Sequence, residues 1–168
     1  MRRLLVVLLF LGSFVSLAAE GRFTLRLILD GAISFAFVPT LCLVALFAVW
    51  RIGPRPAVPF AQAADTFFAG FTPWLIWLIV AGAVFGIVPP RAFAAWFYPV
   101  TLAAAVPFLW SLRIDWRFFR ETLGRSPREA RRDLVVSRAI AWIGGVAYFF
   151  GIALWSDVLP GLVAKLGV

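Results

Sequence analysis

The sequence predicts an all-α integral membrane protein: a four-helix transmembrane bundle with a fifth hydrophobic segment at its N-terminus. Three observations carry this reading. Of 168 residues, 63% are hydrophobic and 14% charged, with a mean hydropathy of +0.97, far from the balance of a water-soluble domain. Charges are missing between Asp30 and Arg51, Asp65 and Arg91, Arg91 and Arg113, and Arg138 and Asp157. Each gap holds 18 to 25 residues, the length at which a helix crosses a hydrocarbon core. These stretches are also apolar on every side, so a soluble fold would have no polar face left for water.

Residues 1–19 begin with Arg2 and Arg3, continue as an apolar run and end in small residues at Ser16-Leu17-Ala18. That is the layout of a secretory signal peptide cleaved after Ala18, with a retained first transmembrane helix as the alternative. Arg22, Arg26 and Asp30 then recur every four residues on one helical face, leading into a first span at 31–50. Pro39 lies mid-span and crowds the carbonyl of Phe35, which predicts a kink whose freed groups Ser34 or Thr40 can satisfy. Gly53, Pro54, Pro56 and Pro59 make 51–65 a loop. The second span, 66–88, ends at Pro89-Pro90-Arg91, which turn the chain at once into a third span, 92–112, distorted at Pro99 and Pro107.

From 113 to 138 the chain reads as a basic helical hairpin with eight arginines. RIDWRFFRETL extends the third helix, Gly124 stops it, and Ser126-Pro127-Arg128-Glu129 has the capping-box layout. The last helix therefore starts near Pro127 and enters lipid near Ala139, giving a fourth span at 139–158. No internal repeat is present, and residues 20–168 form one membrane domain.

The side chains exclude several chemistries. The chain has no His and no Asn, so imidazole-bound metals and His-ligated haem are ruled out, and no cofactor is expected. With one cysteine, Cys42, no disulfide can form within the chain, and its apolar neighbours Leu41 and Leu43 mark it as a packing thiol. Asp30 and Asp157 sit at span edges rather than facing each other within the membrane, and nucleophile–base pairs lack a histidine. An enzyme is not expected.

The net charge of +8 follows membrane topology, so nucleic acid is not an expected partner. If loops 51–65 and 113–138 are cytoplasmic, twelve cations lie on that side with Arg2, Arg3, Arg51 and Arg55 included. Only four, Arg22, Arg26, Arg91 and Lys165, lie opposite. The C-terminus is then periplasmic, in a bacterial inner membrane as the arginine-rich, lysine-poor composition suggests. Trp50, Trp96, Trp110, Trp116, Trp142 and Trp155 fall near span ends, where indole anchors at the interface.

Three sets of residues are candidates for function. Gly82 and Gly86, and Gly144, Ala147 and Gly151 around Tyr148, are small residues at helical spacing that let helices approach closely, within the bundle or against a partner. Arg26, Asp30, Arg91 and Asp157 could meet as an outer charge cluster, with plain interfacial ion pairs as the simpler outcome. Arg113, Arg117, Arg120, Arg128, Arg131 and Arg132 suit anionic lipid headgroups or an acidic partner, with Trp116, Phe118 and Phe119 inserting beside them. The expected function is that of a non-enzymatic membrane protein acting through helix contacts, as an accessory, assembly or anchoring subunit with a membrane protein partner or as a homo-oligomer. The alternative is a small oligomeric transporter or lipid-handling protein built around the proline-broken first and third spans. No charged residue is placed mid-span to serve it.

Overall fold

Prolines set most of the helix boundaries. A computed structural model describes residues 2–20, 22–54 and 58–166; Arg55 and the side-chain surroundings of Gly86, Asp157 and Lys165 lie outside the described residues. Among the described residues the chain is all-helical: α1 (Arg2–Glu20), α2 (Leu25–Phe35), α3 (Phe37–Ile52), α4 (Phe60–Phe67), α5 (Thr72–Ile87), α6 (Phe93–Ala103), α7 (Ala105–Arg117) and α8 (Pro127–Leu166). Four continuous stretches, Leu25–Ile52, Phe60–Val84, Ala94–Thr122 and Pro127–Ile152, are long and apolar enough to cross a membrane.

A proline cannot donate to the carbonyl four residues back and crowds it sterically. Accordingly α2 ends at Phe35, four residues before Pro39, and α6 ends at Ala103, four before Pro107. The carbonyl of Ala36, at the first break, accepts the Thr40 hydroxyl at 2.7 Å as well as the Thr40 amide at 3.1 Å. Pro73 acts in the same way: Ala69, four residues before it, lies in the 3₁₀ turn Phe68–Phe71 that joins α4 to α5. At Pro99, in contrast, α6 runs on without a break, so the third span is interrupted once rather than twice.

The loop at 51–65 is shorter than its prolines suggest. Extended Pro59 starts α4 at Phe60, and the alanine-rich FAQAAD that follows is good helix-forming sequence. Ala63, Ala64 and Phe67 on one face of α4 are buried against Leu46 and Val49 of α3 and against Phe118, Phe119, Leu123 and Ala130. α7 widens into a π turn, Phe118–Thr122, and stops at Gly124, whose φ of 64° is left-handed backbone that glycine adopts without strain. The capping box forms: the Ser126 amide donates to Glu129 Oε2 at 2.9 Å and the Glu129 amide to Ser126 Oγ at 3.4 Å. α8 then runs for 40 residues, about 60 Å at 1.5 Å per residue, continuing past the expected end at 158.

α1 packs against α2 and α5. Gly12 and Gly31 face each other where α1 crosses α2: a Cβ on Gly31 would lie 2.7 Å from that of Val15 and 3.1 Å from the Gly12 Cα. Ser16 is fully buried; it donates to the Arg22 carbonyl at 2.9 Å and accepts the Thr24 amide at 2.9 Å, closing the turn between the helices. At the other end of α1 the Arg3 amide donates to Asp65 Oδ1 at 3.2 Å.

Candidate functional site: a cavity closed at one end by a buried ion pair

α8 packs along α3, with Gly144 against Leu41 and Tyr148 stacked on Phe37, ring centroids 4.2 Å apart and 13° from parallel. α5 packs instead on α1 and α7. Gly82 receives the Phe14 ring, and the Trp74 indole donates to Ser111 Oγ at 3.3 Å. Held from that side, α5 stands away from α8 and leaves a cavity of about 440 Å³, inside the range of small-molecule sites. Its walls are apolar, with Leu41, Cys42, Leu75, Leu78, Ala141 and Phe149 among them.

One end of the cavity is polar. Asp115 on α7 is 3% exposed, and its Oδ2 lies 2.5 Å from Arg138 Nη2 on α8. The same Nη2 donates to Ser111 Oγ at 3.0 Å, and that hydroxyl in turn donates to the Phe108 carbonyl at 2.8 Å. Ser111 is thereby saturated, accepting from Trp74 and Arg138 while donating once. Gly70 makes room for the carboxylate: a Cβ there would lie 2.8 Å from Asp115 Oδ1. Ser137 also lines this end and donates to the Leu134 carbonyl at 3.0 Å. Positive and negative charge cancel, as the burial of the Asp115 carboxylate favours.

Neither Asp115 nor Arg138 stands among the candidates from sequence, where both read as ordinary charges of the basic hairpin. Pairing across 23 residues is tertiary information. A signal was present, however, in Ser111 and Asp115, four residues apart and so on one face of a helix that is otherwise apolar there.

The expected sites are partly reorganised. Gly82 and Gly144 mark helix contacts, with Phe14 and Leu41, whereas Ala147 and Gly151 are exposed and a Cβ on Gly151 would meet nothing within 4 Å. Among the described residues, two glycines meet across a helix crossing at Gly12 and Gly31 instead. Of the outer charges, Arg26 and Asp30 pair within α2 at 3.7 Å, while Arg91, exposed in the turn Pro90–Ala92, makes no ion pair among the described residues.

The eight arginines of 113–138 fall into two groups. Arg113, Arg117, Arg120, Arg128, Arg131 and Arg132 are exposed. Arg113, Arg117 and Arg120 border a shallow pocket with Trp116 and Glu121, and Arg132 pairs with Asp133 Oδ1 at 2.8 Å. Phe118 and Phe119 are not available beside them, because the π turn carries both into the core. Arg125 and Arg138 turn inward. Arg125 donates to the carbonyls of Pro54 at 2.6 Å and Val49 at 3.3 Å, and its Nε lies 3.0 Å from Asp133 Oδ2. It thus supplies a donor to the Pro54 carbonyl beyond the end of α3 and a second donor to the Val49 carbonyl, which already accepts the Gly53 amide at 3.2 Å, and Gly53 leaves space for its guanidinium.

No family model, curated protein or solved structure matches the chain. Among the described residues no three His, Cys, Asp or Glu side chains gather to hold a metal. The arrangement offers an apolar chamber with hydrogen-bonding groups at one end.

Proposed function

We propose that the protein is a non-enzymatic integral membrane protein that takes an apolar chain from the bilayer into the cavity between α3, α5 and α8. The observation that carries this lipid-handling reading is a chamber whose long walls are apolar and whose one polar end is a charge-balanced pair. A chain with a polar head complements both parts.

Contacts at one end of the bundle support the topology. Arg3 meets Asp65, and Arg125 meets Val49 and Pro54, so residues 2–3, the 51–65 segment and the arginines of 113–138 share that end. We place it in the cytoplasm, following the arginine excess. The buried Ser16 and the Gly12–Gly31 contact support reading α1 as a fifth helix retained in the mature fold. The intact mass of the expressed protein tests this: the full chain is expected, and loss of residues 1–18 contradicts it.

The cavity reading is tested by extracting the protein in mild detergent and identifying bound lipids by mass spectrometry, alongside Gly145→Leu. Gly145 lines the cavity and a Cβ there would meet nothing within 4 Å, so a leucine side chain enters the cavity from open space. A single-chain species held by the wild type and lost from the variant supports the reading. Identical lipids in both refute it.

A subunit role is the second reading, favoured by α8. Only 6% of its apolar stretch is buried, against 28% for Phe60–Val84, and Phe149, Phe150, Ile152, Leu154 and Trp155 are exposed. A different protein in constant ratio after gentle purification would support it.

A further inference from the structure

We infer that the cavity selects a neutral single-chain amphiphile with a hydroxyl head, of the monoacylglycerol or long-chain alcohol type. The inference rests on the lipid-handling reading and specifies its ligand.

The polar end of the cavity holds hydrogen-bonding groups without partners among the described residues. Arg138 makes both of its hydrogen bonds through Nη2, to Ser111 and Asp115. Its Nη1 and Nε donate to nothing among the described residues, and its side chain retains 28% exposure beside the cavity. Asp115 accepts through Oδ2 alone, leaving Oδ1 beside Gly70 without a donor. Ser137 Oγ donates to Leu134 and keeps its acceptor capacity. The cavity therefore presents N–H donors and oxygen acceptors together. A hydroxyl is both at once, accepting from Arg138 while donating to Asp115 or Ser137.

Charge disfavours a head that carries a single net charge. An anionic head would compete with Asp115 for one guanidinium, placing two negative groups on one positive group where Asp115 is 3% exposed. A cationic head would put a second positive charge beside Arg138 on a single carboxylate. In either case a net charge is left beside the buried Asp115 carboxylate, a cost a neutral head avoids. The walls set the rest of the preference, since Leu75, Leu78 and Ala141 offer contact to a chain and no polar group.

The test uses the full chain in phosphatidylcholine vesicles. Three photoreactive probes share one C18 chain bearing a diazirine and differ in head: glycerol ester, carboxylate and primary amine. Labelled peptides are mapped by mass spectrometry. The glycerol ester is expected to label residues around Leu75, Leu78 and Ala141 about fivefold or more above the other two. Gly145→Leu, and independently Ala141→Phe, should abolish that labelling. Equal cavity labelling by all three heads overturns the selectivity and leaves the lipid-handling reading standing. Labelling at these residues that both filled variants retain unchanged, or no labelling there at all, overturns the reading and the inference together.

Discussion

The two ends of the bundle are built differently. At the arginine-rich end, α3, α4, α7 and α8 converge on a packed aromatic core, and specific polar contacts fix each element: Arg125 on Val49, Pro54 and Asp133, Arg138 on Asp115, and the capping box at Ser126. Toward the other end α8 continues past Tyr148 and Phe149, which meet Phe37, with Phe150 and Trp155 exposed, and α6 exposes Trp96, Phe97 and Tyr98. The contrast separates what the chain determines by itself from what it leaves to its surroundings. Polar contacts in a buried setting are directional and fix position. Apolar faces against lipid are permissive, because lipid tails are as apolar as leucine and drive no helix together.

Substitutions should register at the two ends on very different scales. The largest effect is expected from Asp133→Ala, which leaves Arg125 buried without a carboxylate and should cost about 3–5 kcal/mol in detergent unfolding. A loss below 1 kcal/mol would show that the arginine-rich end is not held by this pair. Next, Gly31→Leu forces a side chain into Val15 and Gly12 and should cost about 1–3 kcal/mol by overpacking, with faster proteolysis between α1 and α2. Ser126→Ala removes half of the capping box, for about 1 kcal/mol and faster amide exchange in the first turn of α8. Gly151→Leu, at the open end, should stay within about 0.5 kcal/mol. A large destabilisation or a change of oligomeric state there would erase the comparison and favour the subunit reading.

The same division decides how much was legible in the sequence. Four apolar helical stretches, the break before Pro39, the stop at Gly124 and the start at Ser126 follow from residues within a few positions of one another, and all four are present. The start of α4 is hidden in the sequence because Pro59 reads as loop, whereas it is the residue that launches the helix. The cavity was not legible. It depends on α5 packing against α1 and α7 rather than α8, and on Asp115 meeting Arg138, neither of which has a local signature. Composition alone also could not divide the arginines, since Arg125 and Arg128 look alike until Gly53 and the end of α3 are placed beside Arg125.

The central claim is that the space between α5 and α8 is open and occupied by an amphiphile chain. A photoreactive p-benzoylphenylalanine at Leu78 tests it directly, because this position lines the cavity on α5 and reacts with whatever lies opposite. Irradiation in phosphatidylcholine vesicles containing monoolein should add the mass of one monoolein to the α5 peptide. An intramolecular cross-link from Leu78 to the Ala141–Gly145 stretch of α8, with no lipid adduct, would mean that the helices close on each other and would contradict the account.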